Sequence, residues 1–179
     1  MKHALVIGGT GMLKNTTLWL TEQGYHVSVI ARNSNKMKRL MMECNTPNFI
    51  TPILLDYKNS EELKEQLMKL QGKIDLVVAW IHSDAPDALG IVTSTLASDQ
   101  EKWELYHVLG SSANISDIKK NVQVPENCSY HQVQLGFILQ GESSRWLTNE
   151  EISSGVIAAI ESGRAVSVVG VLEPWEKRP

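Results

Sequence analysis

The sequence predicts an α/β domain, a three-layer, doubly wound parallel sheet of about seven strands with helices on both faces. Three observations point there. Short β-branched runs alternate with longer amphipathic stretches along the chain. The run Leu76-Val77-Val78-Ala79-Trp80-Ile81 has almost no polar member, as a strand covered on both faces requires. The first strand passes directly into a glycine-rich turn that opens a helix.

Strands are expected over 3–8, 26–31, 49–55, 74–81, 104–109, 131–139 and 165–171. Helices are expected between them. The first, 11–23, ends at Gly24, a residue suited to a helix C-terminus. The second, 34–43, carries Met37, Leu40 and Met41 on one face. The third, 60–70, starts at Ser60, with Glu61 and Glu62 in the first turn, where acidic groups meet the helix dipole. A fourth spans 86–98. The best-marked helix is 148–162: Thr148 and Glu151 form a capping box, Ile152, Val156, Ala159 and Ile160 form a stripe, and Gly163 closes the end. The rhythm breaks between strands five and six, where residues 110–130 hold only a weakly helical stretch, Ile115 to Asn121, and then Pro125. No repeat, low-complexity tract or linker divides the sequence, so residues 1–179 read as one domain.

Composition excludes several classes. The chain is 42% hydrophobic and 21% charged, with a net charge of −3, and no basic run is interleaved with aromatics, so nucleic acid is not an expected partner. No apolar stretch reaches membrane-spanning length. Lys2 followed by Ala4 to Ile7 breaks at once into Gly8-Gly9, which reads as a strand and not as a signal peptide. Cys44 and Cys128 are far apart and in no C-x-x-C pattern, so they read as reduced thiols of a cytoplasmic protein.

The glycine turn is Gly8-Gly9-Thr10-Gly11-Met12-Leu13-Lys14. A pyrophosphate needs a tight turn free of side chains, so that backbone N–H groups and a helix N-terminus can reach it. Gly8 to Leu13 are therefore candidate dinucleotide-binding residues. Lys14 stands where a small residue often lets helix and strand pack closely. It either extends outward or adds a cation near the phosphates.

Strand two ends in Ala31-Arg32-Asn33, about twenty residues beyond the turn. An acidic residue there would bind a free ribose 2′-hydroxyl, whereas an arginine accommodates a 2′-phosphate. Arg32, with Asn33 and Lys36 beside it, favours NADP (NADPH); the other reading is a solvated basic start of a helix. Strand three ends in Leu55-Asp56-Tyr57. Asp56 could accept a hydrogen bond from an adenine amino group and Tyr57 could flank the ring, or Asp56 simply caps the next turn. Trp80, ending strand four, is grouped with the cofactor-binding candidates.

These segments resemble the short-chain dehydrogenase/reductase superfamily in its atypical or extended branches. The matching residues are Val6 to Met12, Val27 to Asn33, Leu54 to Asp56 and Asp75 to Trp80, and Ser111-Ser112 falls where that superfamily places its catalytic serine. The resemblance covers about the first 112 residues well and the rest loosely. It implies an NAD(P)-binding Rossmann fold, often with oxidoreductase activity. The superfamily's Tyr-x-x-x-Lys pair is absent: four positions after Tyr25, Tyr57, Tyr106 and Tyr130 stand Val29, Glu61, Gly110 and Gln134. Trp80-Ile81-His82-Ser83 replaces the usual Asn-Ala-Gly after strand four.

Ligands of open α/β sheets sit beyond the carboxyl ends of the strands. The polar groups expected there are His82, Ser83 and Asp84, then Ser111, Ser112 and Asn114, then Gln140 to Arg145. Reducing a carbonyl with NADPH needs a donor that polarises the oxygen and supplies a proton. His82 titrates in the right range, and Ser111 or Ser112 could orient substrate or bind a developing alkoxide. His82 could instead bond loop backbone, the serines could cap a turn or helix, and Asp84 could cap the next helix. Tyr106 and His107 lie within strand five and read as structural. No metal-ligand spacing, nucleophile elbow or carboxylate pair is present. Two functions follow: an NADP-dependent reductase of a small carbonyl-type substrate, or a non-catalytic NADP-binding sensor. The last strand, Ala165 to Val171, carries no charge and no proline, and Trp175 follows it. A contact between subunits there, in a homodimer or homotetramer, would cover an otherwise open sheet edge. The alternative is that the chain's own tail covers it.

Overall fold

The computed structural model describes residues 1–97 and 101–179. Seven strands form one parallel sheet: β1 (Lys2–Ile7), β2 (Tyr25–Ala31), β3 (Ile50–Leu54), β4 (Leu76–Trp80), β5 (Trp103–Leu109), β6 (Cys128–Leu135) and, after a short ribbon, β9 (Val166–Val169). The ribbon, β7 (Phe137–Gln140) and β8 (Ser143–Trp146), is antiparallel. The sheet order is β3-β2-β1-β4-β5-β6-β9, so the chain reverses its direction of progress between β1 and β4. That reversal opens a crevice at the carboxyl ends of the two strands.

Six helices cover the sheet: α1 (Lys14–Glu22), α2 (Ser34–Glu43), α3 (Ser60–Met68), α4 (Ala88–Leu96), α5 (Ile115–Asn121) and α6 (Asn149–Ser162). The alternation of side chains along each strand feeds two cores. Ala4, Val6, Val29 and Val78 meet Leu20, Leu40 and Val156 of α1, α2 and α6. Leu5, Ile7 and Val77 meet Leu63 and Val92 of α3 and α4. Because both faces are buried, the strands read as continuous apolar runs. The capping box of α6 is present, with Thr148 Oγ1 accepting from the Glu151 backbone N–H at 3.2 Å.

Three expectations are corrected. Helix 11–23 begins only at Lys14, because Gly11 to Leu13 belong to the turn. Strand 131–139 is two strands bent at Gly136, where an added Cβ would stand 2.1 Å from the Val171 carbonyl oxygen. Gln140 to Arg145 are not a cluster facing the crevice: they form the tip and second strand of the β7–β8 ribbon. The expected end of the fourth helix at Ser98 lies outside the described residues.

The two faces are unequally covered. α5 spans seven residues and buries none of them. Beneath it stand polar residues of the two strands, His107 on β5 and Tyr130, Gln132 and Gln134 on β6. His107 is buried, and its Nδ1 lies 2.8 Å from Tyr130 Oη. Gln132 Nε2 donates to the Ile115 carbonyl at 2.9 Å, and Gln134 Nε2 donates to the carbonyls of Ala113, Ser111 and Gly110. Two strand side chains thus hold a loop that has too few apolar residues to hold itself. The sheet ends at β9, whose Val166 and Val168 remain 41% and 47% exposed. The tail packs on the ribbon: Ser144 Oγ donates to the Lys177 carbonyl, and the Arg178 guanidinium lies over Trp146 and Trp175.

Two predictions follow from this packing. A Cβ at Gly9 would fall 2.8–2.9 Å from Thr17 Oγ1, Val29 Cγ1 and Val6 Cγ1. Gly9→Ala should therefore cost about 1–3 kcal/mol in urea unfolding, the usual penalty of overpacking. Gly11→Val should keep the fold by circular dichroism, because a Cβ at Gly11 meets nothing within 4 Å. The second prediction concerns pH. Burial pushes the His107 imidazole down to about 4 from an ordinary 6.5. Between those values the unfolded chain binds a proton that the folded protein does not. The contribution is therefore intact above about pH 6.5 and lost as pH falls toward 4, by up to about 3 kcal/mol. Burial also lowers His3, so the test is a comparison: urea titrations across this range should show a flatter dependence in His107→Gln than in the wild type.

Candidate functional site

The candidate site lies at the carboxyl ends of β1, β2, β4 and β5. Gly8 follows β1 with φ +83°, a conformation glycine adopts without a Cβ penalty. Its added Cβ would lie 3.3 Å from the Trp80 carbonyl oxygen and 3.5 Å from the Trp80 ring. The turn is therefore flanked by the end of β4. It is fixed from below and from the side. Thr17 Oγ1 donates to the Gly9 and Leu13 carbonyls, each at 3.1 Å, and the buried Ser153 hydroxyl of α6 donates to the Met12 carbonyl at 2.7 Å. The Thr16 backbone N–H donates to Ser153 Oγ at 3.3 Å. Leu13 and Met12 pack into the core, so only their backbone is available to a ligand.

Thr10, Gly11, Lys14, Lys36 and Arg39 border a hollow of 370 Å³ in front of the turn, with Glu43 and Glu150 on its rim. The Lys14 ammonium reaches Glu43 at 2.6 Å. Lys14 thus borders the hollow while it pairs with Glu43. Lys36 and Arg39 have no ion-pair partner among the described residues. A glycine-rich turn before a helix N-terminus, facing a hollow bordered by cations, fits a pyrophosphate.

Arg32 and Asp56 meet across the ends of β2 and β3, 3.7 Å apart, both about half exposed. Such a pair is worth at most about 1 kcal/mol, so a phosphate could draw Arg32 away. Asp56 Oδ1 also accepts from the Lys58 backbone N–H at 3.0 Å, the turn-capping role. Asn33 Oδ1 caps α2 through the Lys36 backbone N–H. Tyr57 is a core residue: its ring is buried and its hydroxyl accepts from the His82 backbone N–H at 3.2 Å. The ring therefore has no free face on which adenine could lie.

Beyond β4 and β5 a cleft of 1080 Å³ opens between α4, the ends of the strands and the segment around α5. His82 and Ser112 both line it; Ser111 does not. The His82 ring stands edge-to-face with Trp80, centroids 5.7 Å apart, and makes no hydrogen bond among the described residues. Asp84 does not cap α4. It pairs with the Lys58 ammonium, which holds its carboxyl below the ordinary range. Asn114 caps α5 through the Asp117 backbone N–H. His107 lines the same cleft, two residues inside the end of β5. That residue was expected to be structural. Its signal was present in the sequence as a run of polar residues at every second position of β6, Tyr130, Gln132 and Gln134, against His107 on β5. No group of three or more potential metal ligands occurs among the described residues.

No family model and no curated protein matches the sequence. Solved structures do match in shape. BdcA from E. coli superposes with a TM-score of 0.67 at 17% identity, over 94% of this chain and 97% of its own. A metagenomic short-chain oxidoreductase in complex with NADP gives 0.69 at 14% identity, over 95% and 96%. A short-chain dehydrogenase from Sphingobium yanoikuyae in complex with NADPH gives 0.72 at 9%, over 98% and 91%. These likenesses show that this chain has a Rossmann fold like that of these short-chain dehydrogenase structures.

Proposed function

We propose that this protein binds NADP and acts as an oxidoreductase on a small carbonyl-type substrate. The observation that carries the reading is the placement of a glycine-rich turn, an arginine and a large cleft at the carboxyl ends of adjacent strands. The backbone of Gly8 to Leu13 would hold the pyrophosphate, and Arg32 the 2′-phosphate, exchanging Asp56 for it. Trp80 would border the nicotinamide end of the cradle. NADPH bound there would supply a hydride to a carbonyl carbon. His82 and Ser112, on the walls of the cleft, would face the oxygen, which must gain a proton. The two solved relatives in complex with NADP or NADPH support the choice of cofactor.

A second reading is a non-catalytic NADP-binding sensor. It is favoured by the missing Tyr-x-x-x-Lys pair and by α5, a helix of seven residues that holds no tyrosine and buries none of its residues. Incubating the protein with NADPH and a panel of aldehydes, ketones and enones separates the two. Loss of nicotinamide absorbance supports the reductase, and tight NADPH binding without turnover supports the sensor.

We further propose a cytoplasmic homodimer or homotetramer. No helix among the described residues is long and apolar enough to cross a membrane. β9 ends the sheet with two exposed valines, and the tail lies on the ribbon. A two-fold contact through β9 would cover that edge.

Two tests follow. Calorimetry should show NADPH bound more tightly than NADH, and Arg32→Glu should weaken NADPH by about 1.5–3 kcal/mol plus a repulsive contribution. Equal affinity of the wild type for the two cofactors would remove Arg32 from this role. Gly11→Val, folded, should lose NADPH binding. Sedimentation at micromolar concentration should show an oligomer that Val166→Lys together with Val168→Lys dissociates. A monomeric wild type would sink the assembly proposal.

A further inference from the structure

The cleft has an unusual floor. Parallel strands buried on both faces normally present apolar side chains, yet here β5 and β6 bring His107, Tyr130 and Gln132 together under α5. Their hydrogen bonds have one consistent direction. The Ile115 carbonyl can only accept, so the Gln132 amide turns its nitrogen toward it, at 2.9 Å. The Gln132 side chain also acts on the Tyr130 phenol, lowering it against the effect of burial. Burial pushes the Tyr130 phenol up to about 12, so the hydroxyl keeps a proton that it can donate. The acceptor is His107 Nδ1, 2.8 Å away. A neutral imidazole that accepts at Nδ1 carries its hydrogen on Nε2. That nitrogen has no partner among the described residues. It is not among the fully enclosed unpartnered atoms, which are Trp103 Nε1 and His131 Nε2. It therefore opens onto the cleft that His107 lines.

The lining sets the ligand class. No lysine or arginine borders the cleft among the described residues, and Asp87 and Asp117 do, so an anion is disfavoured. Leu89, Ile118, Val122 and Val124 provide apolar wall. We propose that His107 is a hydrogen-bond donor built into the floor of the cleft, presenting Nε2–H to the carbonyl oxygen of an uncharged, largely apolar ligand, with Tyr130 and Gln132 as positioning residues that hold the tautomer. The choice of a carbonyl compound rests on the reductase reading above; the donor and the exclusion of anions rest on the cleft alone. With its imidazole near 4, His107 stays neutral and keeps this role throughout the physiological range.

The test is nitrogen-15 NMR on the full-length protein labelled at histidine. Between about pH 5.5 and 8, His107 should be protonated at Nε2 only. Its ring signals should shift saturably with acetophenone or cyclohexanone, and the para-carboxylate analogue of acetophenone should bind about tenfold more weakly or not at all. Tyr130→Phe should lose the single-tautomer signature and weaken ketone binding about tenfold. An Nδ1-protonated ring, no response at His107 to either ketone, or a carboxylate bound as well as acetophenone would each overturn the inference. If Tyr130→Phe does not fold, the wild-type tautomer and the three ligands still decide it. NADPH calorimetry on the same sample keeps the two ideas apart. Protein that binds NADPH but fails at His107 overturns this inference alone, and protein that passes at His107 but binds no NADPH overturns the proposed cofactor alone.

Discussion

The arrangement depends on one close crossing. Where β1 hands over to α1, the backbone at Gly9 runs against Thr17, Val6 and Val29 with no room for a single methyl group. β1 is an interior strand, hydrogen-bonded to β2 on one side and β4 on the other. The angle at which α1 leaves β1 therefore sets where the helix lies on the sheet. It also sets how α6 can lie beside α1 and where the turn faces relative to the crevice between β1 and β4. A bulkier residue at Gly9 would push α1 off the sheet, and the cradle would move with it. Gly11 is free of such contacts and borders the hollow instead. The glycines of one turn thus serve two different ends: Gly9 is required by the protein's own packing, and Gly11 leaves space outside it.

A second constraint is the shortness of α5. A helix that buries no residue cannot be held by hydrophobic contact. The substitute is polar. Gln132 and Gln134 reach up from β6 to the carbonyls of Ile115, Ala113, Ser111 and Gly110. These are buried amides, and leaving any of them unpaired would cost about 1–3 kcal/mol. A large cleft follows directly from this economy of apolar residues, because nothing bulky stands between α4 and the strand floor.

Much of the fold was legible in the sequence because local periodicity and tertiary placement agree there. The strands β1, β2 and β4, the helices α2 and α6, and the glycine turn each carry their own pattern. The capping box of Thr148 and Glu151 and the cap of Asn33 are local chemistry and needed no tertiary knowledge. The β7–β8 ribbon was not legible. Ser143, Ser144 and Arg145 have no apolar alternation, and the strand exists because β7 offers it a partner. Tyr57 read as a residue for a ligand, because nothing in its neighbourhood announces that the ring fills the core beside Leu63 and Ala85. His107 was legible only in part. Its position on β5 is plain, but its meaning depends on the register that sets Gln132 opposite it and on α5 being too small to cover it.

The hydroxyl of Ser153 has a consequence for the order in which this protein can acquire its shape. It bonds the Met12 carbonyl and the Thr16 N–H, partners 141 and 137 residues earlier in the chain. At ordinary rates of synthesis, on the order of ten seconds pass between the making of the glycine turn and the making of the side chain that fastens it. During that interval β1, α1 and β2 can associate, but the Met12 carbonyl and the Thr16 N–H lack their Ser153 partner. A dinucleotide present from the start would meet an unfastened loop, and gain its rigid seat only when α6 docks. Capture of the proposed dinucleotide at this turn would be a late event of biogenesis, dependent on completion of the distant helix as much as on the residues that touch the ligand.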